Sequence, residues 1–341
     1  MKIAIVSDAW HPQINGVVNS ILYTRDELEK SGHQVEMFTP QQFRTVPCPT
    51  YPSIRLSVMP GGRLTRMLDA YAPDTLHIAT EGPLGMAARR WCKKRKLRFT
   101  SAYHTQFPQY VSLRIPVPLS WGYGVMRWFH GHSQAIMVPT ATVKKELEEQ
   151  GFGDRVKLWS RGVDTKLFRP QQGVDLGLPR PINMYVGRVA VEKNIGDFLD
   201  LDLPGSKLVI GDGPDLEKLK KQHPEVCFVG FKTGEDLAAH IACADVFIFP
   251  SRTDTFGLVL LEALACGVPV AAYPVTGPID VITSKKVGCL DNDLKAAALA
   301  ALKLKRADCR AYALNYTWEA ASRTFESLLV PCNPEAQPAT A

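Results

Sequence analysis

Two carboxylates, Asp254 and Glu262, frame the most chemically suggestive stretch of the chain, Pro250-Ser251-Arg252-Thr253-Asp254-Thr255-Phe256-Gly257-Leu258-Val259-Leu260-Leu261-Glu262-Ala263. An apolar strand, DVFIFP, breaks at Pro250; a polar loop follows, and an apolar helix begins near Phe256–Gly257. The first turn of such a helix offers unpaired N–H groups to an anion. Asp254 lies in the loop before it, and Glu262 lies early on the helix among apolar residues. A carboxylate in that setting is costly to bury without a partner, and a pair of ribose hydroxyls would supply one. A second segment, Tyr185-Val186-Gly187-Arg188, leaves a strand with a cation, and Lys193 follows five residues on. Both could neutralise a diphosphate, though taken alone two surface cations are the simpler reading. A third, Trp10-His11-Pro12-Gln13-Ile14-Asn15-Gly16-Val17, reads as a turn and helix start after the first strand, and a fourth, Tyr103-His104-Thr105-Gln106-Phe107-Pro108, ends another strand with a histidine. All four fall at the carboxyl ends of strands, where ligands bind in open α/β sheets.

The elements that must position these residues alternate short β-branched runs with longer helical segments, the grammar of βαβ units and parallel sheets. In the first half, KIAIVSD, QVEMFT, TLHIAT, FTSAYHT and AIMVPT read as strands. Val17–Lys30, Leu84–Lys96 and the segment TVKKELEEQ read as helices. The second half restarts with INMYVGR, KLVIGDG, VCFVGF, DVFIFPS and PVAAYPV, so two doubly wound domains in tandem are expected. Proline and glycine accumulate in RGVDTKLFRPQQGVDLGLPRP, which places the join near residue 170. A late helix from Trp318 to Leu329 precedes PCNPEAQPATA, whose composition predicts disorder. Neither half carries G-x-G-x-x-G or a Walker loop. Gly211-Asp212-Gly213-Pro214 follows a strand, but without a third glycine it reads first as a tight turn.

Composition bounds the rest. A chain of 341 residues suits two cores, and no apolar stretch is long enough to span a bilayer. Met1 runs straight into a strand without a signal-like segment, so a cytoplasmic protein is expected. Eight cysteines without a Cys-x-x-Cys pair predict reduced, mostly buried thiols. The net charge of +6 is uneven: residues 1–150 hold 18 Lys and Arg against 11 Asp and Glu. Seven of these cations crowd into Arg89–Arg98, including Arg90, Lys93 and Lys94. They complement a helix C-terminal dipole or face an anionic lipid surface. Leu119–Phe129, with Trp121 and Trp128, is apolar nearly all round and is either core or interfacial. Basic and aromatic residues share one acid-free stretch, which favours a membrane-facing role for Arg89, Arg90, Lys93, Lys94, Trp121 and Trp128.

The run from Asp254 to Glu262 resembles the C-terminal signature of family 4 glycosyltransferases, in which a Glu, seven residues and a second Glu frame the donor site. The spacing holds here, with the first acid one methylene shorter. The resemblance covers nearly the whole chain and implies a GT-B fold: two Rossmann-like doubly wound domains facing a central cleft. It assigns 1–170 to an acceptor-binding domain and 171–312 to a nucleotide-sugar-binding domain. Residues 313–330 become a helix crossing back to the first domain, with a disordered tail at 331–341. It implies that Asp254 contacts the transferred sugar, Glu262 the ribose, and Arg188 and Lys193 the diphosphate. Gly16 would close over the donor, Gly213, Thr255, Phe256 and Gly257 would line its site, Phe231 would lie near the base, and His104 would face the reacting sugar. The resemblance also implies a metal-independent, retaining enzyme without a cofactor. Within the family, SDAWHPQINGV, ATEGPLG and AYHTQFPQY look most like transferases acting on diacylglycerol or related lipids, or using GDP-mannose.

The implied reaction moves a hexose or uronic acid from a UDP-sugar, in preference to GDP-mannose, to a membrane lipid such as diacylglycerol. The enzyme would be peripheral on the inner face of the cytoplasmic membrane. Alternatives are a mannosyl- or glucosyltransferase acting on a soluble glycan and a sugar-nucleotide epimerase of the same architecture. Nucleic acid is not an expected partner, since no recognition motif accompanies the charge. Asp291-Asn292-Asp293 precedes LKAAALAALK and reads as a helix N-cap rather than a metal motif. His130 and His132 read as a surface helix end.

Overall fold

Lys2–Val6 follows its lysine with four buried apolar residues, a pattern suited to a strand covered on both faces, and it forms an interior strand of a six-stranded parallel sheet. The computed structural model of the protein describes residues 1–11, 15–48, 51–106, 108–109 and 118–333. The chain divides into two units, 1–160 with 318–341, and 161–317.

The first unit runs β1 (Lys2–Val6), α1 (Gly16–Lys30), β2 (Gln34–Phe38), β3 (Thr45–Cys48), β4 (Tyr51–Ser57), α2 (Gly61–Tyr71), β5 (Thr75–Ile78), α3 (Pro83–Arg95), β6 (Thr100–Ala102), α4 (Leu119–His130), β7 (Ala135–Val138), α5 (Ala141–Glu149) and β8 (Val156–Leu158). Its sheet has the order β2-β1-β5-β6-β7-β8, with β3 and β4 forming a separate antiparallel hairpin. The strand order reverses between β1 and β5, so the loops leaving their carboxyl ends flank a crevice of the kind that holds ligands in open sheets.

The second unit contains β9 (Ile182–Val186), α6 (Ile195–Leu199), β10 (Ser206–Ile210), α7 (Leu216–Gln222), β11 (Cys227–Gly230), α8 (Gly234–Ala242), β12 (Val246–Phe249), α9 (Leu258–Ala265), β13 (Val270–Ala272), α10 (Pro278–Val281), β14 (Gly288–Leu290), α11 (Leu294–Ala301) and α12 (Arg306–Ala313). Its sheet has the order β11-β10-β9-β12-β13-β14, parallel throughout, and reverses between β9 and β12. Alternation along the strands sends Met184, Leu208 and Phe247 into the core on one face. Tyr185, Val209 and Ile248 enter the core on the other face.

The last helix, α13 (Trp318–Leu328), belongs to the first unit. Trp318 stacks on Tyr23 of α1 at 4.9 Å, and Phe325 packs against His77 and Trp159.

Three expectations about the course of the chain change. The division falls at residues 160/161 rather than at 170/171, because the intervening segment is part of the second core. Val163 and Phe168 are buried there, and the Arg310 guanidinium donates to the carbonyls of Thr165, Phe168 and Ala265. The tail does not begin at 331: Pro331 bridges to Thr75, Cys332 is buried, and its backbone bonds to Asp74 and Arg98. The rest of that segment, 334–341, lies outside the described residues. The histidine at the end of α4 is not a surface residue. His130 is fully buried between Ser101 and Glu81, while His132 is exposed.

Candidate active site

Loops at the switch point of the second sheet carry the residues singled out around the two acids. β9 ends at Val186, and Gly187 turns the chain so that the Tyr185 hydroxyl donates to the Arg188 carbonyl at 2.6 Å. The loop is zipped to the one after β10 by Gly187 N–H to Ile210 O, Val189 N–H to Asp212 O and Asp215 N–H to Val189 O. This pairing explains the glycines of GDGP. A Cβ on Gly211 would stand 1.8 Å from the Gly187 oxygen, and one on Gly213 would stand 2.2 Å from the Val189 oxygen. The turn therefore braces the Arg188 loop, a packing task that the sequence alone left as a bare turn.

The loops after β9 and β12 are joined by polar contacts. Lys193 donates from Nζ to Asp254 Oδ1 at 2.6 Å, with the two side chains 22% and 18% exposed. Asp254 Oδ2 is buried with no hydrogen-bond partner among the described residues. A buried carboxylate oxygen without a donor is a place for a ligand hydroxyl. The Thr253 hydroxyl donates to the Glu192 carbonyl, and Asn194 donates to the Pro250 carbonyl. Asn194 also donates to Asp197, which accepts from the Tyr273 hydroxyl, and Arg252 lies 3.7 Å over the Tyr273 ring. Asn194, Asp197 and Tyr273 were missed from sequence, because no local spacing marks residues that meet across three strand ends. Gly277 was missed as well: it lies under the acid loop, its missing Cβ 3.1 Å from the Asp254 backbone carbonyl oxygen. The Gly-Pro pair it begins was the available signal.

The α9 helix starts at Leu258, slightly later than expected, with Gly257 at a φ of 81° as its N-cap. Phe256 is buried and Thr255 half-buried beside it. Glu262 sits in the second turn, where burial pushes its carboxyl up to about 7. Phe231 follows the end of β11 and is half-exposed. Its neighbour Lys232 pairs with Asp236, and Glu235 pairs with Arg169. Asp293 accepts from the Lys295 and Ala296 N–H groups, which makes it the cap of α11.

In the first unit, Gly16 opens α1 behind Asn15, whose side chain accepts from the Val17 and Val18 N–H groups at 3.0 Å. Pro12, Gln13, Ile14 and Phe107 lie outside the described residues. His104 is half-buried with its ring edge-on to Trp159 at 5.7 Å. Sequence reasoning missed Asp8, which caps α3 across the switch point by accepting from Leu84 N–H, Gly85 N–H and the Thr80 hydroxyl. Burial lifts its carboxyl to about 6 despite those bonds. A Cβ at Gly82 would stand 2.4 Å from Asp8 Cγ, so the ATEGPLG motif is shaped to that carboxylate.

The basic run divides. Arg89 is buried and donates to the Trp128 and Phe129 carbonyls, its guanidinium 4.2 Å over the Trp128 ring. It satisfies the end of α4 and is not available to a membrane, which corrects the expectation for that residue. Arg90, Lys93 and Lys94 are exposed. On α4, Tyr123, Met126, Phe129 and His130 point inward, whereas Trp121, Val125 and Trp128 are 72%, 52% and 54% exposed. Among the described residues no helix is long and apolar enough to cross a membrane.

Comparison with known proteins decides the family. Residues 14–167 match the model for glycosyltransferase family 4, and residues 180–306 match that for glycosyl transferases group 1. The GDP-mannose-dependent alpha-mannosyltransferase of Corynebacterium glutamicum is 30% identical over 85% of this chain and 76% of its own length. The chain is a family 4 glycosyltransferase. A second relative, the alpha-monoglucosyldiacylglycerol synthase of Streptococcus pneumoniae, is 26% identical over 89% of this chain and 78% of its own. Sucrose-phosphate synthase from Thermosynechococcus elongatus shares the fold at a TM-score of 0.76 and 22% identity, covering 96% of this glycosyltransferase and 98% of that chain. The two parallel-sheet halves are those of a GT-B enzyme.

Proposed function

We propose that this glycosyltransferase moves a hexose or uronic acid, with retention, from a nucleotide-diphosphate sugar to a lipid acceptor at an anionic membrane surface. The observation that carries the lipid reading is the solvent-facing Trp121–Val125–Trp128 stripe on α4, beside the exposed Arg90, Lys93 and Lys94 of α3. An aromatic stripe flanked by cations is what an interfacial helix presents to headgroups. The donor in this reading is a UDP-sugar, and the diacylglycerol-acting relative supports the acceptor class and a glucosyl group. The mannosyltransferase relative favours GDP-mannose as the second reading. In this reading the enzyme is peripheral on the inner face of the cytoplasmic membrane.

The chemistry assigned to the residues is that of a stabilised leaving group. Arg188, Lys193 and the α9 N-terminus spread the charge of the departing diphosphate. Asp254 accepts from a sugar hydroxyl at Oδ2, the oxygen that Lys193 does not bond, and Glu262 accepts from the ribose hydroxyls. Gly213, Thr255, Phe256 and Gly257 line the donor, and Phe231 lies toward the base. No metal enters the scheme.

Replacing the stripe tests the membrane assignment. Trp121→Ala combined with Val125→Ser spares Trp128 and its Arg89 contact, and should cut binding to anionic vesicles at low salt by at least about tenfold. Sedimentation equal to wild type contradicts the membrane reading.

Glu262 gives the donor site a pH signature. Its carboxyl takes up a proton as pH falls through about 7, and only the ionised form accepts from both ribose hydroxyls. Nucleotide affinity should therefore weaken below pH 7, approaching tenfold per unit. Glu262→Gln should be weaker than wild type at pH 8 and lose that slope. Titration calorimetry between pH 5.5 and 8.5 reads both; a wild-type profile without slope contradicts the ribose role.

A further inference from the structure

The second unit is hollow at the end of its sheet remote from the two acids. The Arg188 and Asp254 loops leave the carboxyl ends of β9 and β12, whereas Ile182 begins β9 and Asp245 stands just ahead of β12. Those two residues line a cavity of about 500 Å³, within the size range of small-molecule sites. Residues 171–176 form one wall, and their backbone is pinned. Val174 N–H donates to the Ala239 carbonyl at 3.3 Å, and a Cβ on Gly173 would stand 2.5 Å from Cys243 Cα. Arg306 lines this cavity and also a second one of about 450 Å³, which runs along the exposed Ala307, Ala311 and Leu314 of the α12 region.

Positive charge stands here without a counter-ion. Arg306 donates to the carbonyls of Ala242, Ala244 and Cys266. Arg310, one turn on, donates to those of Thr165, Phe168 and Ala265. Three of the five N–H groups on each guanidinium are taken in this way. Neutral carbonyls leave the charge in place, and among the described residues no carboxylate pairs with either arginine. Asp245, in the same wall, is already bound to Arg180 at 2.6 Å, and Asp175 accepts from the Gly177 N–H. Gln171 adds an amide whose Nε2 is buried with no hydrogen-bond partner among the described residues. A desolvated donor left unmade costs stability, and an acceptor brought to it recovers that cost.

We infer that this end of the second unit binds an amphipathic anion, a carboxylate or phosphate on an aliphatic chain, with its head on Arg306 and Gln171 and its chain along Ala307, Ala311 and Leu314. Charge and apolar groove stand side by side, so neither a bare anion nor an uncharged alkane satisfies both. The site lies at the amino ends of the strands and the donor loops at the carboxyl ends, so its occupant binds beside the nucleotide and not in its place. The inference goes beyond the transferase reaction and does not depend on the choice of acceptor.

Titration calorimetry of the purified 341-residue protein with dodecanoate, kept below its micellar concentration, tests it. One saturable site is expected, undisturbed by saturating UDP or GDP and shared by dodecyl phosphate. Acetate, inorganic phosphate and dodecyltrimethylammonium should each bind at least about tenfold more weakly, since each lacks either the chain or the negative head. Arg306→Gln should weaken dodecanoate roughly 10- to 100-fold, the range for a hydrogen bond to a charged group. Ala311→Trp fills the groove from an exposed helix position without changing charge, and should cost at least about tenfold. It carries the test should Arg306→Gln, which strips three carbonyls of their donor, not fold. Trp121→Ala with Val125→Ser should leave the affinity within about threefold, because those side chains belong to the other unit. Absence of a saturable site, equal affinity for acetate or for the cationic amphiphile, displacement by nucleotide, or wild-type affinity in Ala311→Trp each overturns the inference. Loss of binding only in the Trp121 and Val125 variant does so too, and assigns the amphiphile to the α4 stripe.

Discussion

Lys193→Ala should lower turnover by roughly 10²–10³-fold while the protein stays folded. Two effects add. The substitution removes a cation from the place assigned to the leaving diphosphate, and it also strips Asp254 of the ammonium 2.6 Å from Oδ1. The bare carboxylate then faces the sugar-diphosphate with its full charge, so ground-state binding weakens along with the transition state. The cost in stability should stay below about 1 kcal/mol, because both side chains retain contact with water. Lys193→Arg should not rescue, since a planar fork on a longer stem cannot place one donor on Asp254 and still serve a phosphate from the same point. Arg188→Ala should show the same split between rate and stability. Steady-state rates beside thermal unfolding curves decide the matter; near-wild-type turnover in both alanine variants would remove the diphosphate assignment.

Gly211→Ala should destabilise the second unit by about 2–4 kcal/mol and abolish nucleotide binding under conditions where the wild type is saturated. The backbone there has a φ of 147°, and the added methyl would meet backbone, the Gly187 carbonyl carbon and oxygen at 2.9 and 1.8 Å. Nothing flexible can yield, so the loop after β9 must move, and Arg188 moves with it. Gly196→Ala is the matched control. It lies within α6 with no atom within 4 Å of the added methyl, so it should be neutral or stabilising by up to about 1 kcal/mol. Equal melting temperatures and nucleotide affinities for Gly211→Ala and wild type would contradict the bracing role.

Local pattern carried far in this chain. Runs such as KIAIV, INMYV and VFIF announce buried parallel strands, and the break at Pro250 announces the loop that holds Asp254. Hence five strands of each sheet and the acid-bearing loop were legible from sequence, whereas the three-residue edge strands β8 and β14 were too short to show. The β3–β4 hairpin was not, since Pro47 and Pro52 interrupt it and proline argues against a strand. Contacts across long separations were equally hidden. Lys193 and Asp254 are 61 positions apart, and Arg89 meets the end of α4 some 39 positions later. Within RRWCKKRKLR, charge alone could not separate Arg89 from Arg90. Helical phase holds the information: Ala88, Trp91 and Cys92 mark the buried side of α3, and Arg89 falls on it. Cys332 was lost for a related reason, a single small thiol inside a proline-rich segment being too weak a signal for a core position.

The central claim is transfer of a sugar from a nucleotide-diphosphate donor to a lipid, with retention. The most direct measurement incubates the purified 341-residue protein with diacylglycerol-containing anionic vesicles and, in turn, UDP-glucose, UDP-galactose, UDP-glucuronate and GDP-mannose, reading lipid products by mass spectrometry and their anomeric configuration by NMR. The expected result is one glycolipid from one UDP-sugar, with the anomeric configuration of the donor, absent with Lys193→Ala. Unmodified lipid beside a glycosylated soluble saccharide, or a glycolipid of inverted configuration, would contradict it.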